Sequence, residues 1–270
     1  ARKLPFMTKL YRGGLWCQGE FIIWPTIKGS KWRSKLIRKL NAMEIKKHVK
    51  DPEKRAKLTP DYPVGAKRIL LSDKYYAAIG RDNVTLETDG IDEIQGAGIL
   101  TKTGTEHPHD VIVYATGFYS NPFLKEITVK GAGGTILREH WKEGAFAYLG
   151  VTTSGFPNMF MLYGPNTNTG HTSIIYKLEA QFEHILKLIE KTKTGVVEVN
   201  QDAERAYNIE AQDKLSKLAW TKIDASWYKD GARVTNNWHG GSLEFKRRLE
   251  NPIFEHFTFN HLISDKIAAE

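Results

Sequence analysis

Along the first 58 residues the apolar positions recur three and four apart. Leu36, Ile37, Leu40, Met43, Ile45 and Val49 keep that spacing through KGSKWRSKLIRKLNAMEIKKHVK, which predicts a basic amphipathic helix over about residues 34–49. In DPEKRAK, Asp51 and Pro52 stand as an N-cap and a first helical residue, predicting a second, short helix. From residue 62 the pattern shortens to apolar runs punctuated by turn residues: AKRILLS, NVTLET, GIDEIQGAGILTKTG and DVIVYATGF. These predict strands, the last one buried and delivered into a glycine turn. YLGVTTSGFPNMFMLYGPN adds two strand-like runs separated by SGFPN. HTSIIYKLEAQFEHILKLIEKT then predicts a long amphipathic helix with Ile174, Ile175, Leu178, Phe182, Ile185 and Ile189 on one side, and another helix follows over about 202–218. The tail from Trp220 reads as aromatic and irregular.

Composition narrows this little. A chain of 270 residues, 41% apolar and 26% charged, is ordinary globular material for one or two domains. The net charge of +8 is densest in the first 70 residues, where it alternates with the helical apolar positions. That is the pattern of a solvated helix face, and no nucleic-acid partner is expected. The single cysteine, Cys17, excludes an internal disulfide framework and is compatible with a reducing, cytoplasmic setting. His107, His109, His140, His171, His184 and His239 show no metal-binding spacing, so no metal is expected. No apolar run approaches the roughly 18 residues of a membrane span, and FIIWPTI is short and broken by Pro25. The sequence begins at Ala1 without a methionine, which leaves room for a targeting segment upstream.

Three stretches could carry chemistry. In GPNTNTGHTSIIYKLEAQ a strand empties into a turn that opens a helix, where unpaired amides and the helix dipole suit an electron-rich ligand edge; the alternative is that Thr169, Thr172 or Ser173 merely caps the helix. In YPVGAKRILLSDKYY, Lys67 and Arg68 leave a Pro/Gly turn just before an apolar run, a position aimed by a rigid sheet; most such pairs are surface charge. In SWYKDGARVTNNWHGGSLEF, Trp227, Tyr228, Asn236, Asn237 and Trp238 either line a pocket or form a satellite core. A dinucleotide fingerprint G-x-G-x-x-G is absent, since GAGIL and KGAGGTIL lack its spacing and context, and there is no G-x-S-x-G.

Taken in order, DYPVGAKRILLSDKYY, RDNVTL, DVIVYATGF, LREHWKEGAFAYLGVTTSGFPNMFMLYGPN and SWY resemble the C-terminal portion of a Baeyer-Villiger monooxygenase, within the flavin-containing monooxygenase superfamily. The resemblance implies an α/β fold, the C-terminal part of a flavoprotein with two Rossmann-like dinucleotide-binding domains and a helical insertion. It implies that residues 1–60 end the insertion, 61–112 are the last strands of an NADPH domain, and 113–270 return into an FAD domain. Both phosphate loops would then lie in a missing N-terminal half, and this fragment alone would be inactive. The implied reaction is oxygen insertion beside a ketone carbonyl through a peroxyflavin, using FAD, NADPH and O2. Arg68 matches the catalytic arginine, Lys67 the lysine meeting the NADPH 2′-phosphate, and Trp227 the tryptophan near nicotinamide and substrate. Thr116, Gly117 and Phe118 mark the crossing between domains, and Gly164, Pro165, Asn166, Thr172 and Ser173 border the flavin. Two alternatives stay open: an N- or S-oxygenating flavin monooxygenase, and a truncated, non-catalytic interaction protein with a basic N-terminal helix.

Overall fold

The computed structural model describes residues 5–118, 123–124, 126–224, 226–231 and 233–261. The chain divides into two compact units, one of Ala1–Ser34, Tyr62–Ile69 and Ser120–Glu270, the other of Lys35–Asp61 and Leu70–Tyr119.

The larger unit begins with α1 (Pro5–Gln18), a π-helical turn (Gly19–Ile23) and α2 (Trp24–Ile27), followed by the first residues of α3 (Lys31–His48). In the smaller unit the rest of α3 is joined by α4 (Pro52–Leu58), α5 (Tyr75–Ile79) and an antiparallel sheet of β1 (Ile91–Gln95), β2 (Gly98–Thr101) and β3 (Glu106–Pro108). The expected cap of α4 is present: the Asp51 carboxylate accepts from the Glu53 amide at 2.8 Å, with Pro52 in the first turn. Ile45 and Val49 are buried, and α5 docks on the end of α3 so closely that a Cβ at Gly80 would lie 2.1 Å from the His48 carbonyl oxygen.

Later in the chain the larger unit adds α6 (Leu137–His140), α7 (Ile174–Thr192), β4 (Gly195–Val199), α8 (Gln201–Ser216), a short hairpin of β5 (Lys229–Asp230) and β6 (Arg233–Val234), α9 (Ser242–Glu250) and β7 (Phe257–His261). β4 and β7 pair antiparallel from Gly195↔His261 to Val199↔Phe257, and this ribbon packs with α7. Leu188, Val197, Val199, Tyr207, Ala211, Trp238, Phe245 and Leu249 fill the main core. Ile27, Leu215, Leu218, Trp220, Tyr228 and Val234 fill a second. Within its described residues the tail carries α9 and β7 where irregular chain was expected, and two of its tryptophans are core: Trp220 and Trp238 are each 1% exposed.

Three of the expected strands do not form. Residues 66–72, 83–88 and 109–118 carry no strand, and Leu71 is 96%, Val113 82% and Phe118 100% exposed. A strand exists only through ladder bonds to neighbours, and among the described residues no ladder includes these segments, although the His109 amide donates to the Ala97 carbonyl at 3.1 Å. The two runs around SGFPN likewise make only the isolated bridge Tyr148↔Thr152. Every named strand pair of the described residues is antiparallel, and GIDEIQGAGILTKTG, where strand was expected, folds as the pair β1–β2.

Helix α7 also corrects the reading of its faces. The residues it buries include Lys177, Gln181, His184, Ile185 and Leu188, while Ile175, Phe182 and Ile189 are exposed. Main chain meets much of the buried polar side: Gln181 donates to the Gly150 carbonyl at 3.1 Å and accepts from the Tyr163 amide at 3.1 Å, and His184 Nδ1 meets the Leu249 carbonyl at 2.9 Å, while His184 Nε2 has no partner among the described residues.

Candidate functional site

The loop of residues 164–173, between the end of an extended run and α7, is held by the segment 234–238. The Asn166 amide donates to the Thr235 carbonyl (2.8 Å), the Asn168 amide to Asn236 (3.0 Å), and the Trp238 amide back to Asn168 (2.9 Å). The Asn166 side-chain amide donates to the carbonyls of Val234 (2.7 Å) and Asn237 (3.1 Å), while Asn168 Nδ2 donates to Asn237 Oδ1 (3.0 Å). Asn166 adopts φ 58, a region that asparagine tolerates better than most residues. Gly150 packs beneath the loop at φ 67, where a Cβ would come within 2.0 Å of Thr167 Cγ2. Gly164, Pro165 and Asn166 are buried.

At the head of α7, Ser173 occupies the N-cap position but makes no side-chain hydrogen bond to the first turn. The capping alternative thus fails for Ser173. Thr172 is committed elsewhere, its hydroxyl paired with that of Ser242 at the start of α9. Asn166 Oδ1, Asn236 Oδ1 and Asn237 Nδ2 are buried with no partner among the described residues, an unmet polar demand concentrated at this loop.

Arg68 is exposed, and its positive charge acts on Tyr163 and Tyr228. Burial pushes both phenols up, and the guanidinium opposes the shift in each. Tyr163 immediately precedes Gly164, and the Tyr228 ring lies 4.3 Å from that of Trp227. Arg68 is thus within electrostatic reach of Tyr163, just before the loop, and of Tyr228, which carries Trp227 beside it. Lys67 points outward with its ammonium 4.6 Å over the Tyr62 ring. Thr116, Gly117 and Phe118 belong to the smaller unit and are exposed; Gly117 has φ 83, the glycine turn expected there. Tyr228 and Trp238 are core, whereas Trp227 is 40% exposed. Among the described residues no cluster of His, Cys, Asp or Glu could hold a metal, and no helix is long and apolar enough to cross a membrane.

Sequence reasoning did not single out Lys177, Glu20 or the engagement of His171. His171 stacks on Trp24 with centroids 5.1 Å apart, and its Nε2 lies 3.4 Å from Glu20. Burial pushes the His171 imidazole down, so the contact is a hydrogen bond from Nε2–H to the carboxylate, and Nδ1 accepts from the Thr169 hydroxyl at 3.3 Å. Burial by itself would raise the Glu20 carboxyl, but hydrogen bonds from His171 and the Ser242 amide outweigh it and hold it below its usual value. The only hint in the sequence is a lysine beside the apolar positions at the start of a helix.

No protein-family model matches the chain. It is 37% identical over 256 residues to a Baeyer-Villiger monooxygenase from Pseudomonas aeruginosa, covering 91% of this chain and 47% of that protein. It is 35% identical over 252 residues to one from Streptomyces coelicolor, covering 91% and 48%. The solved structure of OTEMO in complex with FAD and NADP matches with a TM-score of 0.75 and 31% identity over 85% of this chain and 45% of that one. The fold is that of the α/β, Rossmann-like flavin monooxygenases. Within that class the chain belongs to the Baeyer-Villiger monooxygenase family, and it spans about half the length of the curated relatives it matches.

Proposed function

We propose that this chain is the C-terminal part of an FAD- and NADPH-dependent monooxygenase that inserts one oxygen atom of O2 beside a ketone carbonyl. The observation that carries the reading is that the Arg68 charge is felt by Tyr163 at the head of the loop and by Tyr228, whose ring lies beside Trp227. A guanidinium stays protonated at working pH and offers several fixed donors, which suits stabilisation of a negative oxygen as it develops. The flanking tyrosines are held neutral by burial and so do not neutralise it.

The residues fit one edge of a flavin. The head of α7 lacks a side-chain cap from Ser173, and the loop keeps unmet polar atoms on Asn166, Asn236 and Asn237. Gly164, Pro165, Asn166 and Ser173 would border the ring, with Thr172 anchoring the loop through Ser242; Thr116, Gly117 and Phe118 would contribute from the domain crossing. Lys67 would meet the 2′-phosphate of NADPH as a compact point charge, and Trp227 would flank nicotinamide and substrate. When bound, the flavin and nicotinamide supply the redox chemistry and the activation of O2. The pyrophosphate sites and the partners of the exposed segments 66–72, 83–88 and 109–118 would come from an N-terminal half of the same enzyme. In that division residues 1–60 end a helical insertion, 61–112 complete the NADPH domain and 113–270 complete the FAD domain. A reducing, cytoplasmic setting fits the free, exposed Cys17.

The test is Arg68→Ala in the complete enzyme. NADPH oxidation should persist while ester formation falls by about 10²-fold or more, with hydrogen peroxide accounting for the NADPH consumed. Arg68→Lys should restore little, because the charge returns without the planar fork. Normal ester yield from Arg68→Ala would remove Arg68 from the chemistry. Oxidation of amines or sulfides in place of ketones by the wild-type enzyme would favour the N- or S-oxygenating reading.

A further inference from the structure

Beneath the loop of residues 164–173 lies a group of buried ionisable side chains that the reading above leaves without a role. Lys177, on the first turn of α7, is fully buried. Its ammonium nitrogen donates to the carbonyl oxygens of Thr167 at 3.3 Å and Asn168 at 3.4 Å, and it lies 4.9 Å from the centre of the Phe245 ring and 5.8 Å from that of Trp238. Glu20 enters from the π-helical turn, meets His171 Nε2 at 3.4 Å and accepts from the Ser242 amide at 3.1 Å. The approach is tight: a Cβ at the neighbouring Gly19 would lie 2.0 Å from the His171 carbonyl oxygen. Four segments thus meet here, the π-helical turn, the loop, α7 and the head of α9.

Packing alone does not call for an amine at this position. An unbranched apolar side chain of similar length would fill the space between Phe245 and Trp238 without the desolvation cost of a buried cation. What an apolar side chain cannot do is donate to two loop carbonyls. We propose that Lys177, supported by the Glu20–His171 pair, is a positioning residue for the cofactor loop: it holds the Thr167 and Asn168 carbonyls on the buried side while the amides of the same peptide planes bond to the Asn236 carbonyl and to Asn168 Oδ1, and so fixes the backbone path of the loop. This role rests on the flavin reading of the loop. Burial pushes the Lys177 amine well below its usual value, with Glu20 opposing the shift, yet an amine keeps at least two N–H donors in either protonation state. The brace therefore holds whether or not the amine is charged.

The experiment is Lys177→Met, in the complete enzyme and in this chain. The apoprotein melting temperature should stay the same or rise, since a buried amine gives way to an apolar side chain. The FAD dissociation constant of the complete enzyme should nevertheless rise roughly tenfold or more, because the loop is no longer preorganised, and the flavin midpoint potential should shift. Amide exchange in residues 164–173 of this chain, measured without flavin, should accelerate while exchange within α8 does not. Unchanged FAD affinity and potential with unchanged loop exchange would overturn the proposal. If Lys177→Met does not fold, Glu20→Ala decides: it removes the oxygen that His171 Nε2 and the Ser242 amide share, and it should accelerate exchange in the same loop. Unaltered loop exchange in that variant would equally overturn the brace. A wild-type complete enzyme that binds no FAD would instead sink the flavin reading, leaving the loop-exchange result to judge Lys177 separately.

Discussion

Gly150 shows how one backbone position underwrites the loop above it. Its φ of 67 strains any side-chain-bearing residue, and an added Cβ would meet Thr167 Cγ2 at 2.0 Å and the Pro165 carbonyl oxygen at 2.7 Å. Gly150→Ala should therefore destabilise the chain by about 2–3 kcal/mol, read from urea denaturation. In a Thr167→Ser background, where the offending methyl is gone, the same substitution should cost measurably less; an equal cost in both backgrounds would locate the strain elsewhere. The glycines of ATGF and GPN are legible in the sequence because each ends an apolar run. Nothing local marks Gly150, since its need for a bare Cα comes from Thr167, seventeen positions away.

Among the elements, α8, α9 and the segment joining β6 to α9 surround His239, which is 4% exposed and has no partner for either ring nitrogen among the described residues. Burial, with the nearby charges of Lys214 and Arg248, pushes its imidazole down to about 3. The folded state thus refuses a proton that the unfolded state accepts below 6.5, the ordinary histidine value. Its contribution to stability is fully present above 6.5 and is lost as pH falls toward 3, by up to about 1.4 kcal/mol per pH unit. His239→Phe should flatten the fall in stability between pH 6.5 and 4.5 by up to that slope, measured by denaturant melts across the range. An unchanged slope would show that the imidazole is protonated in the folded chain. Helix α7 carries the complementary lesson. Its existence and length were readable from the 3.6-residue period, but its buried side was not: Lys177, Gln181 and His184 face inward because loop carbonyls and an amide meet them there. Exposed Ile175, Phe182 and Ile189 are residues that periodicity had placed on its apolar side.

At the scale of the whole molecule, this chain should purify colourless, because the head of α7 and its loop offer only part of the affinity that holds FAD and no fingerprint for the pyrophosphate is present. A stoichiometric flavin spectrum from the 270-residue chain would contradict the need for a second half. The sequence by itself determined helices α3, α4, α7 and α8, the cap at Asp51 and Pro52, the strands of GIDEIQGAGILTKTG and the family, since each is written in local spacing or in an ordered set of motifs. Only the tertiary structure decided which faces are buried, that Trp220 and Trp238 of the tail are core, that the Arg68 charge is felt by Tyr163 and Tyr228, and that Lys177 and Glu20 brace the loop. It also decided that 66–72 and 109–118 form no strands here. The reason is physical: a helix closes its own hydrogen bonds within a few residues, whereas a strand, a buried charge or a convergent site exists only when chain distant in sequence comes to meet it.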